Sequence, residues 1–282
     1  VFTVPVELRA NVFYAVPMNP LIADIQLPLW LALIVGGLLA ALVAFLIGTP
    51  VLRLRGDYLA IATLGFSEII RIVITNAQSF TNGALGIKDI PTINDVRYIF
   101  LVTATIFLLI TCLINSSYGR AFKAIREDEI AAEAMGVGLF HHKCMAFMIS
   151  AFFAGIGGGL YATLLGTVDP KNFLFTLTYN FLLIIVLGGM GSITGSMLGS
   201  IIVTAGLEYL RIFDEPWEIM GTVIPLFRPG FRMVIFSLLL MICVLFWRKG
   251  IMGTEEFTWD KFVAFCKNPF KYFKRKGAKN NG

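Results

Sequence analysis

Charge is scarce in this chain. Of its 282 residues only 15 % are Asp, Glu, Lys or Arg, whereas 57 % are hydrophobic. Soluble domains carry about 25 % charged residues, and a soluble all-α fold would here have to bury several charge-free runs on every side. That class is excluded. Histidine is nearly missing: His141 and His142 are the only 2, and as sequence neighbours they point in different directions and make no helical metal pair. The 4 cysteines, Cys112, Cys144, Cys243 and Cys266, form no CxxC pair and read as small hydrophobes. No GxxxxGK(S/T) phosphate loop occurs, and no nucleophile stands in a pattern with a base. The residues therefore predict no catalysis, no metal and no cofactor in this chain, and any nucleotide hydrolysis falls to another polypeptide.

What the sequence has instead is long apolar runs. Leu29–Gly48, Tyr98–Ile114 and Met145–Gly166 contain no charged residue. Apolar runs of roughly 17–25 residues are long enough, as helices, to cross a ~30 Å hydrocarbon core. Tyr58–Thr75 is similar but carries Glu68 and Arg71. Leu177–Met190 is short and ends in Gly188-Gly189; Ile193–Arg211 follows a tight turn, and Met233–Trp247 is the last span. Short, glycine-broken segments suit re-entrant or discontinuous helices. Val1–Pro28, Asn76–Arg97 and Ile212–Gly230 read as loops. The expected fold is an all-α, polytopic membrane bundle of about seven segments. An odd number places the start outside and the end inside; Lys and Arg, setting the C-terminal tail aside, divide almost evenly between the two faces and add little.

One long polar interval separates these runs, Ser116 to Gly138, SSYGRAFKAIREDEIAAEAMGVG. Its pattern is helix, break, helix. Tyr118, Phe122 and Ile125 share a face at i, i+4, i+7, with Arg120, Lys123 and Arg126 elsewhere. Asp128 suits an N-cap, Glu129 a positive first turn and Gly136 a C′ stop, which predicts a helix over Glu129 to Met135. Glu129 and Glu133 then lie one turn apart. So short a helix is marginal alone in water and needs something to pack against. It is either a solvated loop helix or a docking knob for a cytoplasmic partner.

AIREDEIAAEAMGV within this interval resembles the EAA-type coupling loop of ABC importer permeases. More narrowly, GDYLAIATLGFSEIIR at Gly56–Arg71, GRAFKAIREDEIAAEAMGV at Gly119–Val137 and VLGGMGSITGSMLG at Val186–Gly199 are similar to the LivM-type permease of branched-chain amino acid transporters. The resemblance covers most of Val51 to Gly253. It implies an inner-membrane, multi-pass permease domain over 1–253 with a coupling loop at 116–138. It also implies partners: a second, LivH-like permease subunit, two ATP-binding cassette subunits that bind ATP-Mg, and an extracytoplasmic substrate-binding protein. By match to the family loop, docking to the ATPase falls on Arg126, Glu127, Asp128, Glu129, Ala132, Glu133 and Gly136. Branched-chain amino acids are the expected cargo, with urea or short amides as the alternative. LivM-like permeases have further helices before the equivalent of Leu29, so the sequence is expected to be truncated at its start.

Three further features carry expectations. Glu68 and Arg71 lie three apart on one helix, where they either line a route for a zwitterion together with Thr63, Ser67 and Asn76, or neutralise each other at the membrane boundary. A lone ion site at Glu68 would instead suit an ion-driven secondary transporter. Gly155 and Gly159, and Gly191, Gly195 and Gly199, recur at four-residue spacing, which predicts smooth faces for close helix packing. The tail, 254–282, alternates aromatics with Lys and Arg, which suits either an amphipathic segment on anionic membrane lipid or a disordered charged end, and not nucleic acid.

Overall fold

The structure is a computed structural model describing residues 3–5, 12, 26–54, 56–93, 95–210, 218–219, 222–223, 234, 237–238, 241, 245, 250 and 252–253. The basic aromatic tail, most of the last apolar segment from Met233 and most of the 212–230 loop lie outside these residues. Helices make up almost all the regular structure: α1 (Leu29–Val51), α2 (Asp57–Asn76), α3 (Gln78–Thr81), α4 (Val96–Asn115), α5 (Ser117–Glu127), α6 (Glu129–Ala134), α7 (Leu139–Leu165), α8 (Phe175–Gly188) and α9 (Ile193–Tyr209). Single 3-10 turns occupy Gly83–Leu85 and Pro170–Asn172, and a two-residue antiparallel pairing joins β1 (Glu218–Ile219) to β2 (Thr222–Val223). The chain divides into two compact units, Val1–Leu177 and Thr178–Gly282.

Among the described residues four helices, α1, α2, α4 and α7, are long and apolar enough to cross a membrane. Seven segments were expected from the apolar runs, and the described residues do not reach that count. The runs from Leu177 and Ile193 form a pair bent by 120°, which counts as a broken span or a re-entrant hairpin. The break is local chemistry: Gly189 (φ 117°) and Gly191 (φ 106°) adopt backbone conformations that L side chains rarely take, and the Ser192 hydroxyl then caps α9 by accepting from Gly195 N–H at 3.0 Å. Gly191 therefore lies in the turn, not on a helix face with Gly195 and Gly199 as the four-residue spacing predicts. Two boundaries also move. α1 continues past Thr49-Pro50 to Val51, because a proline in the last turn forfeits a single backbone bond. α7 begins at Leu139 rather than Met145, taking His141, His142 and Lys143 into its first turns.

The first unit is built on the α1–α7 pair, whose axes approach through small residues. A Cβ at Gly155 would lie 2.8 Å from Ala40 Cβ and 3.0 Å from Gly37 Cα, and one at Gly159 would lie 2.5 Å from Leu33. On the facing helix, the ring of Phe152 fills the place of a side chain at Gly37, and Phe147 does the same at Gly48, each at 2.9 Å. Lipid tails are as apolar as leucine, so such helices associate through close van der Waals fit rather than hydrophobic exclusion. α2 has no buried residue.

The two ends of this unit differ. At one, the loop after α2 is tied to the end of α7: Ile87 and Val168 exchange backbone bonds of 2.9 and 2.8 Å, and Ile90 N–H reaches Gly166 O at 3.0 Å. Asn82, left-handed at φ 59°, donates to Val12 O and Gly86 O, both at 2.8 Å, over a small core of Val4, Val12 and Ile90. At the other end sit α5 and α6, between α4 and α7. In the second unit Gly195 and Gly199 face α8: a Cβ at Gly199 would lie 2.6 Å from Ile184 O and 3.1 Å from Gly188 Cα.

Replacing Gly155 with Leu should lower the thermal unfolding midpoint of the detergent-solubilised chain, since overpacking of this kind costs about 1–3 kcal/mol. Gly158→Leu, whose Cβ meets nothing within 4 Å, is the control and should leave the midpoint in place. Equal midpoints for the two variants would show that the seam is not close-packed.

Candidate functional site

The polar interval folds as two short helices whose ends are closed by side chains. Ser116 opens α5, accepting from Gly119 N–H at 3.4 Å. α4 turns into α5 so tightly that a Cβ at Gly119 would collide with the Ile114 backbone. Along α5, Ile125 is buried, Phe122 half-buried and Tyr118 exposed, so the face predicted from i, i+4, i+7 packs mainly through its C-terminal end.

α6 is capped at both ends. Asp128 Oδ1 accepts from Ile130 N–H at 2.8 Å and from Ala131 N–H at 3.1 Å. At the other end Gly136 N–H donates to Glu133 O at 2.9 Å and Val137 N–H to Ala132 O at 3.0 Å, with Gly136 at φ +84°. That pair of bonds is a Schellman closure, which a left-handed glycine permits. The helix ends at Ala134, one residue before the predicted Met135, which is its C-cap. Six residues cannot sustain a helix alone, and the caps and one packing contact stand in for length.

That contact is Ala132, 4 % exposed. Ile130 and Met135, in contrast, are 82 % and 84 % exposed. α6 thus presents two large apolar side chains outward, with Glu127, Glu129 and Glu133 around them. Of the predicted docking residues, Arg126 turns its guanidinium onto Glu127 at 2.8 Å, Asp128 and Gly136 shape the helix, and Glu129 reaches Lys143 Nζ at 2.6 Å on α7. Sequence reading left out Ile130, Met135 and Lys143. The first two carry a signal, since apolar residues flank the acidic ones; Lys143 carries none, because fourteen positions separate it from Glu129.

The second candidate lies on α2. Glu68 and Arg71 pair: Arg71 Nε lies 3.0 Å from both carboxylate oxygens, and its Nη2 also contacts Oε1. Thr63, Ser67 and Arg71 recur every four residues and form one stripe with Thr75, which the initial set omitted although the same spacing points to it. Asn76 falls on another face. Each hydroxyl bonds back to its own helix, Thr63 to Ala60 O at 2.9 Å, Ser67 to Leu64 O at 2.7 Å and Thr75 to Arg71 O at 2.8 Å, and Asn76 donates to Ile72 O at 2.8 Å. The stripe is half-exposed within this chain, and its two charges neutralise each other in the Glu68–Arg71 pair. Among the described residues no three His, Cys, Asp or Glu side chains are grouped to hold a metal ion.

Residues 9–245 match the family described as "Branched-chain amino acid transport system / permease component". The chain is 39 % identical over 220 residues to the high-affinity branched-chain amino acid transport system permease protein LivM of Escherichia coli K12, covering 66 % of this chain and 52 % of that protein. It is 38 % identical to LivM of Salmonella typhimurium over the same shares. The guanosine ABC transporter permease protein NupQ of Bacillus subtilis matches at 24 % identity over 249 residues, 80 % of this chain and 74 % of the relative. The chain thus spans about half the length of the LivM proteins it matches. No solved structure gives a significant match.

Removing the cap with Asp128→Ala should expose two α6 amides and cost about 1 kcal/mol locally. Hydrogen exchange at Ile130 and Ala131 would then quicken about fivefold, with α7 unchanged; unaltered exchange would show that the cap does not hold the helix.

Proposed function

The chain belongs to the permease component family of branched-chain amino acid transport systems, and on that premise we propose that it is a membrane-spanning subunit of an ATP-driven importer of leucine, isoleucine and valine. The observation that carries this reading is α6: a helix closed at both ends, packed against α5 and α7, that leaves Ile130 and Met135 outward. A solvated loop helix has no reason to expose its two largest apolar side chains. In this reading the partner is an ATPase that holds ATP-Mg, with Arg126, Glu127, Asp128, Glu129, Ala132, Glu133 and Gly136 forming or shaping the docked surface. A LivH-like second permease, a pair of ATPases and an external binding protein complete the assembly in the bacterial inner membrane.

Seven crossings are the topology we favour: α1, α2, α4, α7, α8, α9 and the apolar run from Met233. With α8 and α9 as one broken span the number is six, and with a re-entrant hairpin it is five. We assign α5 and α6 to the cytoplasmic face by their likeness to the coupling loop of the family, not by parity.

We assign the α2 stripe to the translocation route. An ion pair at membrane depth is costly unless it faces protein or water, and Glu68 with Arg71 offers both signs of charge that a zwitterion needs. The contact of both Glu68 oxygens with Arg71 favours this over an ion-coupled site, which would need a free carboxylate.

Reconstituting the full assembly in proteoliposomes tests the reading. Leucine uptake should require ATP and the external binding protein, and Ile130→Asp with Met135→Asp should reduce it about tenfold or more, as loss of a buried apolar anchor does. Uptake that follows a proton gradient without the ATPases would overturn the proposal, and uptake of urea or guanosine in place of leucine would reassign the cargo. Glu68→Gln should lower uptake by up to about fivefold while leaving subunit assembly intact, the scale of one partly exposed charge pair; unchanged uptake would remove the stripe from the route.

A further inference from the structure

The Glu129–Lys143 contact joins two helices, unlike the Glu68–Arg71 and Arg126–Glu127 pairs, which each stay within one. It matters because α6 has so little else to fix it. A six-residue helix with Ala132 as its buried residue can pivot about that one point. A second fixed point at Glu129, in the first turn, sets the helix axis. Lys143 Nζ provides it at 2.6 Å from α7, and its own side chain is more covered than that of Glu129, 31 % against 54 % exposed.

The place where Lys143 sits is equally informative. The first turns of α7 collect the elements at this end of the unit. The Arg53 guanidinium, from the α1–α2 connection, lies over the Phe140 ring at 5.4 Å. Phe122 of α5 meets His142 edge to face at 6.3 Å, with His142 Nδ1 held 2.8 Å from Gly138 O. One turn on, Phe147 fills the space over Gly48 of α1. A displacement of α6 passed to Lys143 is therefore passed to the helix that seats all of these contacts and packs along α1.

We propose that Lys143 is a positioning residue: its ammonium, bound to Glu129, sets the orientation of α6 on α7 and makes movement of α6 a movement of the α1–α7 pair. This rests on the reading of α6 as the ATPase-coupled element, and two measurements separate the two claims. In the reconstituted assembly, Lys143→Met should lower leucine taken up per ATP hydrolysed by about three- to fivefold, the range an ion pair this exposed supports. Lys143→Arg, which keeps the cation and leaves Glu129 in place, should recover most of that ratio. A parental ratio in Lys143→Met, or a Lys143→Arg variant no better than Lys143→Met, overturns the proposal. The second measurement needs no transport. Spin labels at Ala131→Cys and Ser150→Cys, in a background with the 4 native cysteines replaced, report the α6–α7 distance by pulsed electron resonance. Lys143→Met should broaden that distribution; an unchanged width overturns the proposal even if the assembly moves no leucine.

Discussion

The close approach of α1 and α7 is the constraint on which the rest of the first unit depends. In lipid there is no hydrophobic gain from bringing two apolar helices together, so the pair is held by fit. Gly37 and Gly48 on α1 receive Phe152 and Phe147, while Gly155 and Gly159 on α7 receive Ala40 and Leu33. Each helix supplies both the hole and the knob. The seam runs over several turns, from Gly37 to Gly48 along α1, which makes α7 a rod rather than a tether.

That rod connects two unlike ends. Toward its C-terminus the backbone of Val168 and Gly166 pins the loop that follows α2. Toward its N-terminus Phe140, His142 and Lys143 receive the α1–α2 connection, α5 and α6. The α6 helix is stable because its ends are closed, by Asp128 and Gly136, and not because its length permits it. Its outward face is left apolar, which on a free surface would be a liability and in an assembly is an anchor. The α2 helix is the reverse case: apolar outside, with a polar stripe along which Glu68 and Arg71 satisfy one another.

Several features could be read without coordinates, because their causes are local. Charge-free runs of spanning length locate α1, α4 and α7. An Asp followed by Glu, and a Gly seven residues later, delimit α6 to within one residue at each end, since capping needs only nearby donors and acceptors. The four-residue spacing of Gly155 and Gly159 places them on one face of a single helix. The same spacing misled at Gly191, where a left-handed turn, and not a helix, uses the glycine. It also missed Thr75, whose position follows from Arg71 by the same rule.

The chain's long apolar helices, the caps of α6 and its resemblance to a permease family follow from the order of residues alone, because hydropathy, capping and motif spacing act over a few turns. Which glycine meets which phenylalanine, that Lys143 reaches Glu129, that α8 and α9 fold back at 120°, and that Ile130 and Met135 stay outside were settled only by tertiary structure. Each of these joins or withholds residues far apart in the chain, and sequence spacing says nothing about which distant surfaces will touch.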